Sequence, residues 1–190
     1  MGYQTQNTLV GIEPGGNKIF AKSGGTLDLE AGAIAKFAGI DISGQLDPTT
    51  KYVAVGSALT ITLAAHFGKT MKLDTAAGST ATLPAATGSG AVYRFLVSVL
   101  ATSNSHVIKV ANATDVMRGM IFSVDDTSDN AVGFIAGATA DTITLNRTTT
   151  GSVSVGEIIE IEDYAAGFFR VLGFITNTGS PATPFSATVS

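Results

Sequence analysis

The chain carries two histidines, His66 and His106, and no cysteine. Without cysteine there is no thiolate nucleophile, no zinc–thiolate centre and no disulfide framework. A Ser–His–acid triad needs an imidazole beside a nucleophile and an orienting carboxylate. His66 lies in Ala64-Ala65-His66-Phe67 and His106 follows Ser103-Asn104-Ser105. Neither falls in a Gly-x-Ser-x-Gly or zinc-ligand spacing, so both are expected to be structural or surface residues. Glu157, Glu160, Glu162 and Asp163 form the densest acidic run. In a strand, residues 160 and 162 share a face, the arrangement a glycosidase pair would need, but isolated carboxylates on a solvent face are far commoner. Asp125-Asp126-Thr127-Ser128-Asp129-Asn130 resembles a Ca²⁺ loop, yet the sixth and twelfth positions hold Asn130 and Ala136 instead of Gly and Glu. An Asx-rich hairpin turn is the expectation there. Gly68-Lys69-Thr70 ends like a phosphate-binding loop, but Leu63 stands where the motif requires Gly. Tyr164, Phe168 and Phe169 could form an aromatic platform for a glycan, with core packing the more ordinary role. None of these patterns supports an enzyme, and none calls for a cofactor or a metal.

The elements that must carry these residues follow from composition. Ala, Thr, Gly and Ser make up 88 of 190 residues, only 14% are charged, and 45% are hydrophobic. Small residues with abundant Thr describe short strands and tight turns. The formal charge of -4 excludes the basic footprint of a nucleic-acid-binding domain. A mean hydropathy of +0.33 argues against disorder. No signal peptide is recognisable at Met1-Gly2-Tyr3-Gln4, and the most apolar stretch, residues 91–101, contains Arg94 and is too short to span a bilayer. A soluble protein without membrane or nucleic-acid partners is expected.

Strands are expected at residues 51–55, 58–64, 70–73 and 80–83, then at 91–100, 106–111, 120–124, 131–135 and 142–145. Three more are expected at 157–162, 167–176 and 185–189. Gly, Pro and Asx turns at spacings of about 8 to 12 residues separate them, the signature of an all-β sandwich or barrel. The expected fold is thus an antiparallel β-sandwich or barrel over residues 49–190, with residues 91–100 as a strand buried on both faces and no helix beyond two turns.

Residues 1–48 read differently. Residues 1–18 are polar, with a turn signal at Pro14-Gly15-Gly16-Asn17, and suggest an extended arm. Glycines 25, 32 and 39 then recur seven apart. Strands turning at each Gly, a short β-spiral, are favoured over a helix from Asp28 to Phe37, because interior glycines cost a helix about 0.8–1 kcal/mol each. Between residues 19 and 42 large apolar side chains are few: Ile19, Phe20, Leu27, Leu29, Ile34, Phe37, Ile40 and Ile42. Such a segment cannot build a core alone, and fibrous β-segments of this kind bury their apolar residues against copies of themselves or a partner. These eight residues are therefore the candidate interface.

Two stretches carry a resemblance. Ser23-Gly24-Gly25-Thr26-Leu27-Asp28-Leu29-Glu30-Ala31-Gly32 with Ala38-Gly39-Ile40-Asp41-Ile42-Ser43 is similar to the opening of many tailed-phage structural proteins. Ala81-Thr82-Leu83-Pro84-Ala85-Ala86-Thr87-Gly88-Ser89-Gly90, continuing through Thr102–His106, Ala111–Met117, Asp141–Asn146 and Ala182–Ser186, resembles a domain of phage virion proteins. Among these are head decoration (cement) and fibre-like proteins. The resemblance implies a homotrimer on the outer surface of the bacteriophage capsid, made in the host cytoplasm. Its partner would be the major capsid protein, held by residues 1–48 while the β-domain projects outward. The alternative it leaves open is a tail-fibre or receptor-binding adhesin that recognises host surface glycan. A depolymerase built on Glu160 and Glu162 is a third class.

Overall fold

The computed structural model describes residues 10–12, 19–21, 34, 36–37, 40–42 and 48–189. The chain divides into two compact units, residues 1–35 and residues 36–190. In the first, strands β1 (Val10–Ile12) and β2 (Ile19–Ala21) pair antiparallel on either side of the Pro14-Gly15-Gly16-Asn17 turn signal. The second opens with β3 (Lys36–Phe37) and β4 (Ile40–Asp41), which pair antiparallel.

From there the chain is almost wholly β. It runs through a 3-10 turn (Pro48–Thr50), β5 (Tyr52–Ala54), β6 (Ala58–Thr60), α1 (Leu63–His66), β7 (Thr70–Leu73) and β8 (Thr80–Thr82). Then come β9 (Val92–Val97), β10 (His106–Lys109), β11 (Val116–Asp125) and β12 (Ala131–Ile135). The last are β13 (Thr142–Leu145), β14 (Ile158–Ala165), β15 (Phe168–Asn177) and β16 (Phe185–Ser186). Two sheets face each other: a seven-stranded sheet in the order β12-β11-β15-β14-β9-β7-β5, and a five-stranded sheet in the order β16-β13-β10-β8-β6.

The all-β sandwich matches expectation, but its sheets are mixed and not purely antiparallel. From β5 to β10 successive strands alternate between the two sheets. Each return to a sheet therefore arrives parallel to the strand before it: β5 with β7, β7 with β9, β6 with β8, and β8 with β10. β11 also runs parallel to β15, whereas hairpins join β11 to β12 and β14 to β15 antiparallel. Parallel neighbours need a crossover, and here the facing sheet supplies it.

Period-two alternation builds the core. In β15, Phe169, Val171 and Ile175 are buried while Phe168, Arg170, Leu172 and Phe174 face out. Across the gap Ile108, Ile143 and Leu145 of the five-stranded sheet are fully buried, and Tyr93, Phe95, Met71 and Ile121 complete the same cluster. Strand β9 corrects the expectation of a strand buried on both faces. Only Tyr93, Phe95 and Val97 are inside, and Arg94 is exposed because this sheet packs on one side alone.

The strand expected over residues 58–64 ends at Thr60, and Leu63–His66 forms a single helical turn. The Thr62 amide donates to His66 Nδ1 at 3.0 Å, so the imidazole satisfies a backbone donor that a longer strand would have to pair.

Candidate functional site

The residues that could do chemistry are mostly committed to holding loops. Asp163, on the inward face of β14, is only 2% exposed. Its carboxylate accepts from the amides of Thr87 (3.0 Å), Gly88 (2.7 Å) and Ser89 (3.1 Å), and from the hydroxyls of Ser89 (2.6 Å) and Thr87 (3.1 Å). Burial pushes this carboxyl up, but the hydrogen bonds from Ser89, Gly88 and Thr87 together outweigh it and hold the pKa below the ordinary Asp value. Gly88, at φ +76°, has the left-handed backbone that lets three successive amides converge on one carboxylate.

Glu157 plays the same part in the preceding loop. Its oxygens accept from the amides of Ser152 (2.6 Å), Val153 (2.9 Å) and Ser154 (2.8 Å). Here burial prevails over the hydrogen bonds and raises the carboxyl's pKa. Two further buried acids were not singled out from sequence. Asp115 accepts from the Ala86 amide at 2.8 Å, and Asp141 accepts from the amides of Thr188 (2.8 Å) and Val189 (3.1 Å), which fastens the chain beyond β16. Isolated acids give no periodic signal, and their donors lie tens of residues away.

Glu160 and Glu162 do share a face, as the strand pattern implies. That face is the open outer side of the seven-stranded sheet, and each is held by an arginine on the adjoining strand: Arg94–Glu160 at 2.8 Å and Arg170–Glu162 at 2.6 Å. Asp163 faces the other way. The acidic run is thus two surface ion pairs and two loop clamps, Glu157 and Asp163.

His106 is fully buried. Its Nδ1 accepts from the Ser79 amide at 3.0 Å and its Nε2 lies 2.9 Å from the Val99 carbonyl, an arrangement that fits the neutral ring protonated on Nε2. Burial lowers its pKa, and the Val99 hydrogen bond and the Asp74 charge oppose this only in part. The Asp125 loop joins β11 to β12 as an Asx turn, with Asp125 accepting from the Thr127 amide at 2.8 Å. Among the described residues no group of three or more His, Asp or Glu side chains could hold a metal ion.

The aromatic trio divides. Phe169 belongs to the core, whereas Tyr164 and Phe168 are exposed, their ring centroids 6.2 Å apart, with the Arg118 guanidinium 5.6 Å from the Phe168 ring. They sit at one end of a larger outer apolar face that the sequence reading missed. The register places Met120 beside Leu172 and Ile135, and Phe122 beside Phe174 and Gly133. Phe122 and Phe174 stack at 6.0 Å, and Phe122 covers the bare backbone of Gly133. Ile135 is 78% exposed. The available signal was that β11 and β15 are apolar at both odd and even positions, which a strand covered on one side does not require.

Of the eight candidate interface residues, Ile19 and Phe20 lie in β2, Phe37 in β3 and Ile40 in β4. Ile34 is exposed, and Ile40 and Ile42 are half-buried. Leu27 and Leu29 lie outside the described residues.

Comparison with known proteins finds no matching family model, no matching curated protein and no matching solved structure.

Proposed function

We propose that this is a non-catalytic structural protein of a phage virion, a decoration (cement) protein that binds the outside of the head as a homotrimer. In this reading residues 1–48 contact coat subunits and neighbouring protomers, and the sandwich is the outward body. The observation that carries it is the make-up of the core: among the described residues, the buried cluster draws on none before Val55. The described sandwich thus has a core of its own, and in this reading the leader's apolar side chains serve other chains. The buried acids support a structural role, because Asp115, Asp141, Glu157 and Asp163 each hold amides of their own chain. Extended segments can wrap large surfaces, and three leaders per trimer add avidity. The test is deletion of residues 1–48. The truncated protein is expected to fold cooperatively and to lose binding to undecorated heads; undiminished binding would overturn the proposal.

A second reading, a glycan-binding adhesin, draws on the exposed Tyr164–Phe168 pair beside Arg118. Loss of glycan-array binding in Phe168→Ala, with labelling at tails instead of heads, would favour it.

A further inference from the structure

Strand β12 (Ala131–Ile135) is an outer edge of the seven-stranded sheet, paired only with β11 among the described strands. We propose that it pairs antiparallel with β12 of a second copy, about a two-fold axis at Gly133, so that the two seven-stranded sheets become one.

The existing ladder decides which backbone groups are free. The Asp125 amide donates to the Asn130 carbonyl at 2.9 Å, and the Ala136 amide donates to the Gly119 carbonyl at 3.0 Å. Antiparallel bonds alternate along a strand. Residues 130, 132, 134 and 136 therefore turn their amides and carbonyls to β11, and those of Ala131, Gly133 and Ile135 point away from the sheet. Natural edge strands are usually blunted by charge, proline or a bulge. β12 reads Ala131-Val132-Gly133-Phe134-Ile135 and has none of these. An antiparallel partner centred on Gly133 sets Gly133 opposite Gly133, and Ala131 of each copy opposite Ile135 of the other. Every outward amide then meets an outward carbonyl. An axis one residue to either side leaves an end of each strand without a strand partner.

The side chains fit the same register. On the outer face Ile135 is 78% exposed. In the pair it comes beside the small Ala131 of the second copy, next to which stands the exposed Val124. At the axis two bare glycines meet, and Phe122 of each copy lies over its own Gly133, 3.8 Å from where a Cβ would stand. On the inner side, Val132 and Phe134 are opposite the buried Ser123 and Ile121, so both point toward the facing sheet, yet Val132 is 37% exposed. The pair sets Val132 of one copy beside Phe134 of the other, where Phe134, Phe185 and Ala187 line an open groove of about 490 Å³.

Charge selects a second copy as the occupant. Asp129 precedes β12 and Gly137 follows it, each by two residues. Asp129 is exposed, and Arg118 Nη1 donates to the Gly137 carbonyl at 3.1 Å. Neither Asp129 nor Arg118 has an ion pair among the described residues. The same register, carried past the strand ends, brings Asp129 of each copy to Gly137 of the other and to the guanidinium held there. A parallel alignment of two copies brings Asp129 to Asp129 instead. An edge that is uncharged along its length, acidic at one end and basic at the other, is complementary to itself turned end for end. Such a contact is isologous and closes at two copies. It rests on no part of the decoration reading; where leaders join copies in threes, it joins one trimer to the next.

The absence of cysteine makes the test clean. A side chain at Gly133 meets Phe122 only at ordinary contact distance, so the full-length Gly133→Cys variant keeps its fold. Oxidised and run without reductant, it should give a covalent dimer, because hydrogen-bonded antiparallel partners have Cα atoms about 5.5 Å apart, within disulfide reach. Tyr52→Cys, equally exposed on β5 at the other edge of the sheet, should stay a single chain. Added to Gly133→Cys, Asp129→Arg or Arg118→Asp should each slow cross-linking about tenfold, since two exposed ion pairs turn repulsive. The two reversals together should restore it, which a merely structural role for either residue would not do. Light-scattering mass over a dilution series reads the same charge variants without the cysteine. Cross-linking no faster than in Tyr52→Cys, or a double reversal no better than the single ones, would overturn the pairing. A trimer without Gly133→Cys links would overturn it and leave the decoration reading standing; linked dimers that fail to bind heads would do the reverse.

Discussion

Asp163 offers the sharpest test of how this sandwich is held. Its carboxylate gathers three backbone amides and two hydroxyls from Thr87, Gly88 and Ser89, residues at least 74 positions earlier in the chain. Asp163→Asn keeps the shape but removes the charge and replaces one acceptor oxygen with a donor. The two hydroxyls can rotate to accept from that new donor, whereas the amides cannot. At least one amide is then left facing an N–H in a site that is 2% exposed in the native protein. A hydrogen bond to a charged group contributes about 1.5–3 kcal/mol, and an unsatisfied buried donor costs about 1–3 kcal/mol, without full additivity. The expected loss is about 3 kcal/mol for Asn and about 4–5 kcal/mol for Ala, the range of a broken buried network. For a domain of this size that lowers Tm by about 6–12 °C for Asn. Urea and thermal unfolding at pH 7 measure it. The pH dependence supplies a second check. Because the folded carboxyl titrates below its ordinary value, its contribution is complete above about pH 3.8 and is lost as pH falls through the folded value. The gap between wild type and Asp163→Asn should therefore shrink below about pH 4. A deficit under about 1 kcal/mol at neutral pH, or one that stays constant into acid, would refute the clamp.

Three other outcomes follow from the same geometry. His106 stays neutral in the fold and takes up a proton near pH 6.5 when unfolded, so stability is full above that value and falls on acidification, by up to about 1.4 kcal/mol per pH unit. Urea midpoints from pH 7.5 to 5.5 should fall more steeply for wild type than for His106→Gln; the raised Glu157 carboxyl, which works in the opposite sense, is common to both and cancels. Burial and the Asp163 charge push the Tyr93 phenol up to about 12, so absorbance at about 295 nm should show a late ionisation that Tyr93→Phe removes and Asp163→Asn shifts downward. Gly119 sits within β11 at φ +124°, where a Cβ would collide with the Val171 carbonyl oxygen on β15; Gly119→Ala should cost about 2–4 kcal/mol in chemical denaturation, and a neutral result would refute that close approach.

Much of the strand pattern was legible, and what was not has physical causes. Thr70–Leu73, Ala131–Ile135 and Thr142–Leu145 could be bounded to the residue because turn-forming Gly, Asp or Asn stands close to their ends. The break after Thr60 was hidden because it depends on His66 folding back to an amide, which alternation does not encode. Sheet order was hidden for a related reason: alternation tells which side a residue faces, not which strand lies beside it. β5, β7 and β9 therefore read as independent strands although they run parallel as neighbours. For the acidic run, the shared face of Glu160 and Glu162 followed from period two. The arginines that neutralise them stand on other strands and could not be inferred. Phe168 and Phe169 are adjacent and chemically identical, yet one is exposed and the other is core. Only the position of the facing sheet distinguishes them.

The distribution of charge bears on the proposed assembly role. Four buried acids hold loops, and the two glutamates on the outer face of β14 are neutralised by arginines. What the seven-stranded sheet then presents at its β12 end is apolar: Met120, Phe122, Val124, Ile135, Leu172 and Phe174. Exposed ion pairs contribute little to association, while aromatic and aliphatic anchors dominate contact energies. A surface so arranged recognises shape and excludes water, which suits a permanent contact between protein subunits better than capture of a charged small molecule. The open edge of β12 borders this same apolar face.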